Sequence, residues 1–468
     1  MRSELERELK LDPPDGFVLP ALDGDGLPTR NFASTYFDTE DLRLARGGVT
    51  LRNRVENRKG VWQLKLPREH ARLELEREGA PGRPPAELVE LLTAHLRGRK
   101  LVRVARMKTR RQTIRTAGAY VVDDAVSVYD GPRIRMRFRE LEIELTAGDD
   151  PGLAELQRTL VAAGAQPSSG APKVFRAISF EPPSQLRLRR STPPLEALGE
   201  RLHREYLRLL AHDPGVRLAD DPEDVHQMRV ATRRLRAYLR AARPLVKREW
   251  ADGLREELAW LGGSLGAARD LDVLLDRLRG DLAAEADGNA SARGLLKELE
   301  RDRRAAYAAA AETLSEHRYL ELLDRLERET QAPVAAGRPK TRLRRVFRDE
   351  LDRCRKTFDR LGRKPTDEAL HQARIRVKRT RYAAELAEHE LGEEGDAFLQ
   401  AAKKLQDVLG EHQDAVFAQE RIGGWAAAHP KQRDLADRLV ALEQSRQAAS
   451  RAAWPKLWQR LERLGRRL

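Results

Sequence analysis

Glu6-Arg7-Glu8-Leu9-Lys10, followed by Leu11, is the stretch from which the first half of the chain is read. In an extended strand alternate side chains share a face. Glu6, Glu8 and Lys10 therefore project together, while Leu9 and Leu11 take the other side. The same parity joins Arg52 with Arg54, Gln63 with Lys65, Arg72 with Glu74 and Glu76, and Glu140 with Glu142 and Glu144. Turn-separated strands of this kind run from Met1 to about Phe180, interrupted by two predicted helices, around Pro85–Leu96 and Leu153–Ala163.

A sheet with one face in water shows such alternation by default. Here several strands carry like charges two residues apart, which is unfavourable unless counter-ions or a ligand share the face. The row Glu140/Glu142/Glu144 offers oxygen donors of the kind that hard divalent cations take. Arg52 and Arg54 offer planar forks that match phosphate oxygens. A face holding both would bind a metal and a phosphate chain together.

This ordered set resembles the CYTH domain, the triphosphate tunnel metalloenzyme family. Glu6, Glu8 and Lys10 match its opening ExExK, Leu51-Arg52-Asn53-Arg54 its LRxR strand, and Lys65 its following lysine strand. Glu140-Leu141-Glu142-Ile143-Glu144 matches its late acidic strand, and Pro172-Lys173 stands where members often carry Ser-Lys. The resemblance implies an eight-stranded antiparallel tunnel with flanking helices, enclosing a triphosphate and Mg²⁺ or Mn²⁺. It implies metal ligands among Glu6, Glu8, Asp123, Glu140, Glu142 and Glu144, and a phosphate clamp of Lys10, Arg52, Arg54, Lys65, Arg111, Lys173 and Arg176. Glu6, Glu8, Lys10 and Lys65 are the expected catalytic group. Arg110, of opposite parity to Arg111, is not in the clamp, and Asp123 stands where the family often has Asp-x-Gly, with Ala125 in the place of the glycine.

Prolines at Pro182, Pro183, Pro193 and Pro194 mark a boundary. The expected organisation is a tunnel domain over 1–185, a linker over 186–194 and an all-α domain over 195–468. Helical periodicity dominates after the boundary, for example over Leu195–Ala211 and Leu254–Leu278. This half repeats itself. Val225-His226-Gln227-Met228-Arg229 aligns without gaps on Leu370-His371-Gln372-Ala373-Arg374, and Arg269-Asp270 aligns on Gln413-Asp414. Two related helical bundles, about 195–335 and 340–468 and joined by an approximate twofold, are expected.

Asp221-Pro222-Glu223-Asp224 reads as a helix start, with a cap, a proline at the first turn and early acids. On that helix His226, Arg229, Arg233 and Arg236 recur at helical spacing on one face. His371, Arg374, Lys378 and Arg381 repeat the pattern, and each row extends about 15 Å. A basic stripe is ordinarily a solvated face; the duplication, with drift between the cationic positions, points to a polyanion instead. The pattern resembles the CHAD domain, the conserved histidine α-helical family. That resemblance implies inorganic polyphosphate bound by His226, Arg229, Arg233, Arg234, Arg236, His371, Arg374, Lys378, Arg379 and Arg381. Neither histidine has a nearby cysteine or second histidine to complete a metal site.

Composition agrees with these readings and excludes others. Charged residues make up 35% of the chain and the net charge is +14, which favours anionic partners. Aromatics make up 5%, too few to interleave the basic faces as base-stacking platforms, so no specific nucleic-acid partner is expected. Cys354 is the single cysteine, so no disulfide framework forms, and no long apolar run suggests a membrane span. A cytoplasmic setting, with association with polyphosphate granules, is expected. The expected activity is hydrolysis of inorganic triphosphate or short polyphosphate, with long polymer held by the helices. The alternatives are an organic triphosphate in the tunnel, as in a thiamine triphosphatase or an adenylate cyclase, and a non-catalytic polyphosphate-binding protein.

Overall fold

The computed structural model describes residues 2–68, 71–145, 152–182, 186–283, 290–337 and 341–468. The chain divides into two compact units, Met1–Ser184 and Gln185–Leu468. Pro183, Ser184 and the last residue of the expected first domain, 185, lie outside the described residues.

The first unit is built on β1 (Arg2–Glu6), β2 (Glu8–Asp12), β3 (Asp25–Asp38), β4 (Thr50–Glu56), β5 (Lys59–Pro67), β6 (Arg72–Glu78), β7 (Val102–Thr116), β8 (Ala119–Asp130), β9 (Arg133–Leu145) and β10 (Gln166–Pro167). They form one sheet in the order β1-β6-β5-β4-β3-β7-β8-β9-β2-β10, with every pairing antiparallel. Ten strands stand where eight were expected, for two reasons. Arg7 divides the opening strand, and residues 166–167 add a short pairing to β2.

That division shapes the unit. β1 pairs with β6 and β2 with β9, yet a single residue separates β1 from β2. Opposite margins of the sheet are therefore consecutive pieces of one segment, and the sheet curls round on itself. Its outer side is apolar in part: Leu11, Val121, Leu141 and Ile143 pack with Leu160 of α4 (Gly152–Ala162). Short helices α1 (Arg43–Arg46), α2 (Ala86–Leu91) and α3 (Thr93–Leu96) complete the connections, the last two dividing what reads in sequence as a single helix. On the inner side α5 (Lys173–Ala177) packs Val174 and Phe175 among Tyr36, Met107, Val126 and Val128.

The second unit holds α6 (Pro194–Leu218), α7 (Pro222–Ala241), α8 (Arg248–Leu282), α9 (Ala290–Thr313) and α10 (His317–Gln331). The second copy supplies α11 (Leu343–Phe358), α12 (Asp367–Leu391), α13 (Glu393–Ala428) and α14 (Arg433–Gly465). The one β pairing among the described residues here is the isolated Val246–Ala335 bridge. The start read at Asp221 is present: its side chain accepts a hydrogen bond from the Glu223 amide at 2.8 Å. Thr366 caps α12 in the same way, from the Ala369 amide at 3.2 Å. Each His-bearing helix packs between its neighbours, α7 between α6 and α8 and α12 between α11 and α13, and α7 also contacts α12. Leu274, Leu278, Leu295, Ala418, Ile422 and Leu435 pack α8, α9, α13 and α14 into a shared core. Full burial of such a leucine contributes about 1.5–3 kcal/mol.

Candidate functional site

Strand register carries one face of the first unit around the ring. Glu8 and Lys10 of β2 stand opposite Glu144 and Glu142 of β9, and Glu140 stands opposite Asp124 of β8. Asp124 faces Arg111, Arg111 faces Arg30, Tyr36 faces Arg52, and Arg52 faces Gln63. Lys65 faces Glu74, and Glu74 faces Glu4. These side chains surround a cavity of about 490 Å³, lined by residues including Glu6, Glu8, Lys10, Arg52, Arg54, Lys65, Arg111, Glu142, Glu144 and Lys173.

Charges within the cavity wall are matched. The Lys10 ammonium lies 2.9 Å from Glu142, 3.1 Å from Glu140 and 3.5 Å from Glu8. Burial alone would pull this ammonium down, but Glu142, Glu8 and Glu140 outweigh it and hold Lys10 well above the usual lysine range. Lys173 reaches from α5 to Asp124 at 2.5 Å and Glu142 at 2.9 Å. Arg111 donates to both Asp124 oxygens at 2.8 Å and to Glu142 at 3.2 Å and Glu144 at 3.3 Å. Burial would push the Glu142 carboxyl up; Lys10, Lys173 and Arg111 reverse that and hold it well below the usual carboxylate range. Glu140 and Glu144 are both pushed up by burial.

The opposite wall is more open to a ligand. Arg52 donates to Gln63 at 2.7 Å and to the Tyr36 hydroxyl at 3.0 Å, and Gln63 in turn donates to Glu74 at 2.5 Å and Glu76 at 2.6 Å. Lys65 sits 2.5 Å from Glu6 and 3.1 Å from Glu74. The Arg54 guanidinium is 3.9 Å from Glu76, and burial with Arg52 and Arg30 nearby lowers its pKa. An anion placed there would relieve that repulsion.

Two expected site residues lie elsewhere. Asp123 faces Leu141 on the outer side and pairs with Arg139 at 2.5 Å; its neighbour Asp124 is the inward carboxylate. The cause is strand alternation, since adjacent residues point to opposite faces. Arg176 lies one turn beyond Lys173 but pairs with Asp12 at 2.7 Å and stacks over Phe138, outside the cavity lining. Glu140 is 1% exposed and lies behind Lys10 and Lys173. Conversely, Glu4, Arg30, Arg72, Glu74, Glu76 and Asp124 join the charged ring without having been assigned to it. The parity of Arg72, Glu74 and Glu76 was the signal available for three of them.

The donor chemistry suits a hard divalent cation. Glu8 faces Glu144 and Glu4 faces Glu74 across adjacent strands. Directly opposed carboxylates repel, and oxygen-seeking Mg²⁺ or Mn²⁺ removes the repulsion. Among the described residues, no three His, Cys, Asp or Glu side chains converge as a ready ligand set. The fit therefore rests on donor type and strand pairing.

In the second unit the basic residues separate into matched and unmatched sets. Arg229 donates to the Gly266 carbonyl and to Asp270, both at 2.8 Å. His371 is 2.7 Å from Gln413, the pair foreshadowed by the second repeated segment. His226 has Arg269 at the corresponding position, and burial with Arg269 lowers its pKa. Lys378 is lowered to about 7 by burial and by Arg374, Arg233 and Arg229, which Asp414 only partly offsets. Arg234 is different: it pairs with Glu205 at 3.2 Å and Glu385 at 3.1 Å, where Tyr238 also donates to Glu385. Its repeat counterpart Arg379 has Arg240 and Arg376 as neighbours and Glu350 as the carboxylate; burial and those arginines lower it to about 10. Arg381 contacts Glu385 at 3.5 Å, and Arg236, lowered by burial and Arg255, makes no ion pair among the described residues. The ten expected polymer contacts thus do not form one uniform face.

Residues 4–172 match the CYTH domain and residues 200–423 the CHAD domain. The uncharacterized protein Rv2226 of Mycobacterium tuberculosis is 30% identical over 465 residues, covering 89% of this chain and 88% of that protein. The CHAD domain from the plant Ricinus communis aligns with a TM-score of 0.50 at 26% identity, over 59% of this chain and 94% of that one. PptA from Streptomyces chartreusis aligns with a TM-score of 0.48 at 22% identity, over 57% of this chain and 100% of that one. A CYTH segment, a CHAD segment in that order and a relative matched along nearly its whole length together place this chain in the CYTH–CHAD family.

Proposed function

We propose that the first unit hydrolyses inorganic triphosphate or short polyphosphate and that the second binds the long polymer. The observation that carries the first part is the ring of strands that brings both acidic and basic side chains to one cavity. A site for a purely anionic ligand needs basic side chains alone; a phosphate chain with its cations needs both signs of charge.

In this reading Arg52, Arg54, Lys65 and Arg72 hold phosphate oxygens from one wall, and Lys10, Arg111 and Lys173 from the other. Their fixed positions stabilise charge on the transferring phosphoryl group without reorganisation. Glu6, Glu8, Glu142 and Glu144, with Glu4 and Glu74, supply the oxygens for Mg²⁺ or Mn²⁺. When held there, such an ion would neutralise charge developing on the phosphate chain. A lining carboxylate not engaged by the ion accepts the proton of the attacking water. Tyr36 and Gln63 orient Arg52 by hydrogen bonds.

For the second unit, the supporting observation is the crowding of Arg233, Arg374 and Lys378, which burial and mutual repulsion disfavour and which Asp414 and Asp270 only partly offset. His226 and Arg229 adjoin that basic region, and His371 stands at the equivalent place in the second copy. Arg236 and Arg379 share Arg255 as a neighbour in a second basic group. Arg381 meets Glu385, as does Arg234, which serves the junction between the copies. No described helix is long and apolar enough to cross a membrane; a cytoplasmic location with polyphosphate granules belongs to this proposal. The test is a substrate panel of tripolyphosphate, thiamine triphosphate and ATP with either metal. Preferential orthophosphate release from tripolyphosphate supports the reading. Cyclic AMP formation, or faster cleavage of thiamine triphosphate, would replace the substrate. Binding without turnover of any of them would leave a polyphosphate-binding protein.

A further inference from the structure

The outer side of the tunnel wall carries a second charged feature that the cavity does not use. On β7, Arg106, Lys108 and Arg110 point outward, opposite in parity to the inward Arg111. Across β8 they face Tyr129, Ser127 and Ala125. On the far side of β8, Ser127 faces Arg137 and Ala125 faces Arg139. The three cations of β7, about 7 Å apart, therefore line one side of a floor formed by Ala125 and Ser127. Arg137 stands on the other side, about 10 Å across at two inter-strand spacings, beside Arg139, which Asp123 holds.

The trough lacks the acids that a solvated basic face normally carries. Arg106, Lys108, Arg110 and Arg137 are exposed, and among the described residues none makes an ion pair. Asp123, the carboxylate beside them, is committed to Arg139 at 2.5 Å and 2.8 Å. On the adjoining β3, the residues facing Arg110, Lys108 and Arg106 are Asn31, Ala33 and Thr35, all uncharged. Lys108 lies over Tyr129, 5.3 Å from the ring centroid, which covers the one aromatic face available for base stacking. The feature fits an unbranched anion with a charge at every repeat and no bases to accommodate.

We propose that this outer trough binds a linear inorganic polyphosphate chain, making a second polymer site on the first unit outside its tunnel. This rests on the polyphosphate reading of the protein, but it concerns binding alone. The floor provides the probe. Ala125 is exposed, and Cys354, the natural cysteine, is buried, so Ala125→Cys places an accessible thiol on that floor. In the full-length protein, long-chain polyphosphate should slow modification of that thiol by a neutral maleimide about fivefold or more, with the protection weakening as salt rises. The protection should vanish when Arg106, Arg110 and Arg137 are changed to glutamate in the same chain. An unchanged labelling rate, or equal protection in the charge-reversed chain, overturns the proposal. Equal protection by single-stranded RNA of matched charge overturns it in favour of a general nucleic-acid face. Tripolyphosphate hydrolysis by the charge-reversed protein is measured alongside: its persistence shows that the tunnel reading stands whatever the trough does.

Discussion

Lys10 in the tunnel and Lys378 at the helical junction are both lysines withdrawn from water, and their surroundings drive them in opposite directions. Burial works against both ammonium groups. For Lys10 it is outweighed by Glu142, Glu8 and Glu140, whereas for Lys378 it is reinforced by Arg374, Arg233 and Arg229 and leaves the group at about 7. Around Lys10 the tunnel wall supplies its own counter-charges before any ligand arrives, while Arg54 and the facing Glu8/Glu144 and Glu4/Glu74 pairs leave places for phosphate and cations. The junction is short of counter-charge, which under the proposed function a polyanion would supply. Matched charge and deficient charge would then be two designs for one class of ligand.

The largest effect should come from breaking the matched network around Lys10. Glu142→Leu leaves Lys10, Lys173 and Arg111 sharing fewer carboxylates in a buried setting. Loss of one partner from such a network costs about 3–5 kcal/mol, which urea unfolding would read directly. Next, Arg233→Glu with Arg374→Glu should weaken binding of long-chain polyphosphate at least about tenfold and lower the salt dependence by roughly two phosphate contacts. Tripolyphosphate turnover should be unaffected by that change. If the two variants instead behaved alike, the contrast between the units would fail.

Lys378 sharpens the comparison through pH. Its pKa in the free protein is about 7, and both unfolding and polyanion binding return it toward the ordinary lysine range. Between about 7 and that range the polymer complex holds a proton that the free protein lacks. Affinity should therefore fall as pH rises through this window, by up to about tenfold per unit, and level off below it. Folding stability should rise with pH over the same interval, because there the unfolded chain holds the extra proton. Lys378→Arg, which keeps its charge, should flatten the affinity profile; a profile unchanged by it would remove Lys378 from the account. The smallest expected effect is Asp123→Asn, which disturbs the outer Arg139 pair and should leave turnover within about twofold, since isolated partly exposed pairs contribute little. Asp124→Asn, touching Arg111 and Lys173, should reduce it much further.

Much of this arrangement was legible from alternation. Glu6, Glu8, Lys10, Arg52, Arg54 and Lys65 all occur on the cavity lining, and a period of two is sufficient to place them on a shared face. Alternation fails at Asp123-Asp124, because a doublet always presents one member to each side and the pattern does not say which side is enclosed. It says nothing about Arg176, which belongs to a short helix whose docking, not its spacing, turns that side chain toward Asp12. In the second unit the repeat located His226 and His371 and their helices. It could not reveal that Arg234 meets two carboxylates while Arg379 has mostly arginines around it, since, Arg376 apart, those partners come from other helices.

The central claim is most directly tested by following orthophosphate release from tripolyphosphate with Mg²⁺ or Mn²⁺, comparing the natural chain with Glu6→Ala/Glu8→Ala. The account predicts metal-dependent release that falls by about a hundredfold or more in the double variant, as loss of groups that act on the transition state implies. No release with either metal, or release that the double variant retains in full, would contradict it.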